Sequence, residues 1–225
     1  IQEEVIPLGM APNFIGGHPM TGSEKTGILS ATNTLLENAY YIITPTALTP
    51  KEEISEFRDF VLSLGAIPLI LDYKIHDYST AAISHLPHMI AYSLVNLVRQ
   101  IDDDKETMKT IAAGGFKDIT RIASSSPVMW QNICASNREP LLSLMDQYLA
   151  LLTQLRGYID SSNEQALLSF FQQAKDYRDS ITLPSVKSPT VYYECFVDLV
   201  DETGGIAAVA GLLAHERSER IKSLA

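Results

Sequence analysis

The sequence predicts an α/β segment, then an all-helical segment, then a short α+β tail. Three observations carry this. Over residues 1–75, strand-like and helix-like stretches alternate, the pattern of a βαβ unit with a parallel pair of strands. From His76 onward, apolar residues recur at helical spacing. After a linker with two prolines, "LPSVKSP", one strand-like and one helix-like run close the sequence. The expected parts are residues 1–75, 76–183 and 190–225.

In chain order, "NFIGG" (13–17) and "AYYIITPT" (39–46) read as short strands rich in Ile, Tyr and Phe. Residues 49–65, "TPKEEISEFRDFVLSLG", read as an amphipathic helix. Thr49 is its expected cap, Pro50 its first position, Glu52 the partner in a capping box and Gly65 its end. Ile54, Phe57, Val61, Leu62 and Leu64 fall mostly on one face. "AIPLILD" (66–72) is the next strand. Further on, residues 141, 142, 145, 148, 149, 152, 155 and 159 make a broad apolar stripe facing a core. Ser162 and Gln165 suggest a capping box for the following helix, so the two form an αα-hairpin. The closing run, "TVYYECFVDLVDETGGIAAVAGLLAHE", is a strand, a turn and a helix, too little to bury a core alone.

Composition sets the outer limits. The 225 residues suffice for a substantial core, and 46% hydrophobic with 20% charged residues suits a folded, water-soluble protein. A net charge of −10 offers no basic stripe to nucleic acid or an anionic membrane, so neither is an expected partner. No apolar run reaches the ~20 residues of a membrane span and no signal peptide opens the sequence. Cys134 and Cys195 have no C-x-x-C neighbour and read as reduced, buried residues. The expected location is cytoplasmic.

Residues with chemical potential gather in three stretches. In "FIGGHPMTGSEKTG" (14–27), His18 follows a strand and Gly16–Gly17 and precedes Pro19. The carboxyl ends of strands in an α/β sheet are where ligands bind, and the glycines allow a flat ligand close to the backbone. The competing reading is a tight turn with an exposed histidine. In "SHLPH", His85 and His88 share a face if helical, with Pro87 either in a first turn or at a kink. Two histidines without a third ligand make a weak zinc signal, and no metal is expected. In "GGFKDITRIASSSPVMW" (114–130), Gly114–Gly115 leave the backbone open, and Lys117 and Arg121 stand four apart. Arg121 can grip a carboxylate through two parallel hydrogen bonds, while a solvated charged face is the alternative. The residues alone point to an anion-binding pocket with histidines.

Together, "FIGGHPMTGSEKTG", "HDYSTAAISHLPHMIAYSL" and "GGFKDITRIASSSPVMW", in this order, resemble the prephenate dehydrogenases of tyrosine biosynthesis, the TyrA family, over residues 10 to 180. The resemblance implies a partial Rossmann domain, then an all-α dimerisation domain like the C-terminal domain of 6-phosphogluconate dehydrogenase. The tail "YYECFVDLVDETGGIAAVAGLLAHE" looks like the opening of an ACT domain, implying tyrosine as an effector. The implied activity is that of an oxidoreductase. Prephenate is oxidatively decarboxylated to 4-hydroxyphenylpyruvate with NAD or NADP as cofactor. His18, in G-G-H-P, matches the catalytic histidine. Arg121, in D-x-x-R, is implied to hold a substrate carboxylate, and His88 to contact the substrate side chain with His85 in support. Ser23 and Glu24 line the pocket mouth, with Ser23 and Gly17 near the nicotinamide. Gly114 belongs to the substrate site, and Lys117 and Asp118 stand behind it. His76 and Asp77 are implied to reach the active site of the other subunit of a homodimer formed through the helical domain.

Departures accompany the resemblance. The family's G-x-G-x-x-G turn and its downstream acidic ribose partner are not in this sequence, which starts near the last strands of the Rossmann domain. This polypeptide is therefore expected to bind the dinucleotide weakly and turn over little. The rival enzyme is an arogenate dehydrogenase. A non-catalytic, tyrosine-sensing dimerisation fragment would lack His18 or Arg121, and a 6-phosphogluconate-type or 3-hydroxyacid dehydrogenase would lack G-G-H-P-M and S-H-L-P-H.

Overall fold

A computed structural model of the chain describes residues 1–22, 27–28, 31–32, 34–181, 207–208 and 211. Residues 1–186 form one compact unit and 187–225 a second. Ser23, Glu24, Cys195, the linker and the expected ACT-like strand lie outside the described residues, as does most of the helix after it.

The sheet has three strands in the order β1 (Ile15–Pro19), β2 (Tyr40–Pro45) and β3 (Ile67–Ile70). β2 and β3 run parallel, joined by α2 (Lys51–Ser63), as the alternating pattern predicts. β1 is antiparallel to β2, with His18 opposite Ile42 and Gly16 opposite Thr44. Ile42, Ile43 and Thr44 are buried in succession, which requires cover on both faces of the middle strand. Ile43, Val61 and Ala66 form the core, with Ile15, Leu36, Tyr41 and Phe57 packed around them. Burying Ile43 and Val61 completely contributes about 2 kcal/mol each. A one-turn helix, α1 (Gln2–Val5), also touches β2, where the buried Gln2 amide donates to the Thr44 carbonyl at 2.7 Å.

The expected capping box of α2 does not form. Thr49 Oγ1 instead accepts from the Thr46 amide at 2.9 Å and donates to the Phe14 carbonyl, tying the β2–α2 turn to the segment before β1. Pro50 occupies the cap position. Val61 faces the core, whereas Leu62 and Leu64 turn outward, so the apolar face is narrower than the periodicity suggests. Gly65, at φ +77°, ends the helix in the left-handed region that favours glycine.

The helical half starts at α3 (Tyr73–Thr80). Its cap Asp72 accepts from the amides of Lys74 and Ile75. A π-helical turn, Ala81–His85, links it to α4 (Leu86–Ile101). Pro87 explains the widened turn: it has no N–H to donate, and its ring would crowd the carbonyl four residues back in a regular α-helix. By length and composition alone the combined Tyr73–Ile101 helix passes as a membrane span, where residue runs predict none. It nevertheless carries His76, Asp77, His85 and His88.

Then follow α5 (Thr107–Ile111), α6 (Gly114–Thr120), a 3-10 turn (Arg121–Ser124), α7 (Pro127–Ser136), α8 (Arg138–Asp160) and α9 (Glu164–Ser180). α9 is capped by Asn163, whose side chain accepts from the Ala166 amide at 3.0 Å. The expected cap, Ser162, is in the left-handed region at φ +50°. On α8, Leu141 and Leu144 are buried, but Leu142, Leu149, Leu152 and Ile159 remain exposed within one chain. The predicted stripe therefore only partly meets a core. α4 and α8 border an apolar groove of about 280 Å³ that includes Ile90, Leu94, Met145 and Leu149.

Candidate active site

β1 ends in Gly16–Gly17–His18, with Pro19 as its last residue. A side chain on Gly16 would collide with Thr44, and a Cβ on Gly17 would lie 2.7 Å from the Tyr41 hydroxyl. The glycines are thus required by packing against β2, and the spaces beside them are filled by Thr44 and Tyr41. That packing fills the direction a side chain would take, while both glycines still border the cleft beside His18.

The His18 ring meets His76. His18 Nδ1 and His76 Nε2 are 2.8 Å apart, and His76 Nδ1 and Asp77 Oδ1 are again 2.8 Å apart. These contacts lie within one chain: α3 packs against β2 and brings His76, with Asp77 behind it, to the His18 of the same chain, where the resemblance implied the other subunit. The two rings are nearly perpendicular, with centroids 5.0 Å apart.

His85 and His88 continue the cluster across the π turn. His88 Nδ1 lies 2.9 Å from the Ser84 carbonyl. A carbonyl only accepts, so Nδ1 carries the proton and Nε2 is left to meet a ligand. His88 stacks on Trp130 with centroids 3.8 Å apart, and His85 meets the same indole edge-on. Asn137 Nδ2 donates to the Asp77 carbonyl at 2.8 Å and lies 3.3 Å from His85 Nδ1, which therefore accepts. Among the described residues no three His, Cys, Asp or Glu side chains converge as a metal site. Burial, followed by the neighbouring His76, lowers the pKa of His18 below its usual 6.5, and Asp77 opposes this. Burial, then His18 and His88, lowers that of His85. A neutral imidazole able to accept a proton is favoured at both positions.

A cleft of about 940 Å³ opens beside His18, bordered by Gly16, Gly17 and Thr44 on the sheet side and by His76, Asp77 and Asn137 on the helical side. Gly114 and Arg121 do not line it. Gly114 is the exposed first residue of α6, and a Cβ there would lie 4.0 Å from Asp118 Oδ2, an ordinary van der Waals contact. Arg121 is exposed at the start of the 3-10 turn, and both that turn and α6 pack on α4, which carries His88. Lys117 and Asp118 are exposed on α6. Trp130 and Asn137 had no assigned role in the sequence reading. Trp130, the only tryptophan, was a legible signal at the end of the third stretch, whereas nothing in the sequence marks Asn137.

Tested against a dinucleotide, these residues fit the end beside the reacting carbon: the cleft has room for a flat ring next to His18. The sequence holds no G-x-G-x-x-G cradle for the phosphates.

Residues 3–68 match the family model for the prephenate dehydrogenase nucleotide-binding domain, and residues 72–173 that for its dimerization domain. Prephenate dehydrogenase of Bacillus subtilis (strain 168) is 38% identical over 204 residues, 91% of this chain and 55% of the relative. The chain thus spans little more than half the length of that relative. The crystal structure of A. aeolicus prephenate dehydrogenase in complex with hydroxyphenyl propionate and NAD+ superposes with a TM-score of 0.73 at 31% identity, covering 77% of this chain and 60% of that one. Synechocystis arogenate dehydrogenase gives 0.70 at 30% identity, covering 76% and 62%. With two consecutive domain models matched in order and the fold shared, this chain belongs to the prephenate dehydrogenase family.

Proposed function

We propose that the protein is an NAD(P)-dependent dehydrogenase that oxidatively decarboxylates prephenate to 4-hydroxyphenylpyruvate and CO2, as a cytoplasmic homodimer. The single observation that carries this reading is the His18 imidazole. It is half-buried at the end of β1 and bound through Nδ1 to His76, so its Nε2 remains for a substrate hydroxyl in the adjoining cleft. When bound, the nicotinamide supplies the acceptor for a hydride, with its electron pair, from C4 of the substrate ring. His18 takes the C4 hydroxyl proton as the carbonyl character of that carbon grows. It returns the proton to the same oxygen as the ring aromatises with loss of the carboxylate as CO2, so no proton is gained or lost.

His88, with Nε2 outward and its ring clamped on Trp130, suits the polar end of the substrate side chain, with His85 behind it. Arg121 is read as the carboxylate partner, supported by its fork of donors and its place on the turn packed against α4. Gly114, Lys117 and Asp118 belong to the same segment, and Ser23 and Glu24 are read at the cleft mouth. The dimer reading rests on the matched dimerization domain and on the open apolar groove between α4 and α8. Residues 190–225 are read as the start of an ACT domain with tyrosine as effector, on the run "YYECFVDLVDETGGIAAVAGLLAHE" alone.

The test is reduction of NAD+ or NADP+ by the whole protein on addition of prephenate, with arogenate in parallel. Prephenate-dependent reduction is expected, falling by about 10²-fold or more in His18→Ala. Turnover of arogenate alone would move the assignment to the arogenate enzyme. Turnover of neither, with hydroxyphenyl propionate also failing to bind, would overturn the reading.

A further inference from the structure

We propose that His76, anchored by Asp77, is a positioning residue that holds His18 in its Nδ1–H tautomer, which leaves Nε2 as the proton acceptor. The role rests on the dehydrogenase reading above, but the ring assignment itself follows from hydrogen-bond accounting. An ionised carboxylate only accepts, so His76 Nδ1, 2.8 Å from Asp77 Oδ1, carries the proton. In the neutral ring His76 Nε2 then has only a lone pair. His18 Nδ1, 2.8 Å away, must donate to it. The remaining nitrogen of His18, Nε2, is left unprotonated. Each step is forced by the one before, starting from a single charged group.

Two consequences serve catalysis. The ring presents the nitrogen that can accept a proton without first exchanging tautomers in water. The imidazolium formed when His18 takes the substrate proton is met by a lone pair, and behind it by a carboxylate. His76 is not itself the base: both its nitrogens are engaged, and its side chain keeps only 16% exposure. Asn137 braces the arrangement by donating to the Asp77 carbonyl. Among the described residues, the other charged or titratable groups facing this chain of rings are His85 from the π turn and His88 from α4, with Glu3, Tyr73, Lys74, Tyr78, Arg138 and Glu139 around the cleft.

Two substitutions separate positioning from simple packing. His76→Gln keeps an oxygen able to accept from His18 Nδ1. His76→Lys offers only donors, so it forces Nδ1 to accept and places the proton on Nε2. The primary readout is the tautomer of His18 in the whole protein, by long-range proton–nitrogen correlation of labelled histidine rings, alongside kcat and KM for prephenate. We expect Nδ1–H in the native protein and in His76→Gln, with kcat within about tenfold of native. For His76→Lys we expect loss of that tautomer and kcat lower by about 10²-fold with KM little changed. A native His18 carrying its proton on Nε2 would overturn the proposal, whether or not the variants fold. So would equal losses of kcat in the two variants with the His18 tautomer unchanged. A protein with the Nδ1–H ring that oxidises neither prephenate nor arogenate would overturn the dehydrogenase reading and leave the ring assignment standing.

Discussion

The sheet and the long helices of this chain satisfy their apolar residues in different ways. Around β2 the core closes within one chain: Ile43 and Val61 have no exposed surface, and Gly16 and Gly17 are packed by Thr44 and Tyr41. α8 spans 23 residues and buries only Leu141 and Leu144, while α9 buries none. A sheet element gains its partners from strands and a helix nearby in sequence. The broad stripe of α8 instead faces an open groove, and a second copy of the chain is the occupant that the dimerization-domain match favours. The candidate active site sits where the two regions meet, with His18 on the strand and His76 on the helix that contacts it.

The contrast can be broken from either side. Ile43→Ala should cost about 3 kcal/mol in chemical denaturation, because the closed core leaves a cavity where the methyl groups were. A loss below about 1 kcal/mol would mean that the sheet core is looser than its burial indicates. Leu149→Asp, at a position 57% exposed in one chain, should barely change the stability of the monomer. It should weaken self-association by about 100-fold in sedimentation equilibrium, since a charge would be buried unpaired at the joint. Unchanged association would move the interface elsewhere.

Asn163→Ala should cost about 1 kcal/mol and increase hydrogen exchange at the start of α9, because the Ala166 amide loses its cap. The smallest expected effect is on pH dependence. His18 and His85 have folded-state pKa values below 6.5, so the unfolded chain binds more protons in acid. Their contribution to stability is complete above pH 6.5 and declines as pH falls through their folded values. The melting temperature of His18→Asn should therefore fall less steeply below pH 6.5 than that of the native protein; parallel slopes would assign the acid sensitivity to other groups.

Legibility followed the range of the interaction. The apolar stripe expected from residue 141 to residue 159 lies wholly within α8, because its spacing is repeated over many turns. The β2–α2–β3 unit was readable from its punctuation, down to the glycine that ends the helix. The caps were not: Thr49 is drawn to the Phe14 carbonyl, 35 residues away in sequence, and Asn163 replaces Ser162 one position on. The antiparallel setting of β1 was equally silent, since five residues carry too little pattern to give direction.

For the candidate site, the histidines could be picked out one by one, but their grouping could not. Local sequence determined that His18 ends a strand beside glycines, that His85 and His88 flank a proline, and that the helices after residue 72 carry wide apolar stripes. Those features depend on neighbours within a few residues and on the period of the backbone. Only the tertiary structure decided that His76 reaches its own His18 across 58 residues, that Trp130 stacks on His88, and that Asn137 bridges Asp77 and His85. These contacts arise from how α3, α7 and α8 pack, and hydrogen-bond partners distant in the chain leave no periodic trace in its sequence.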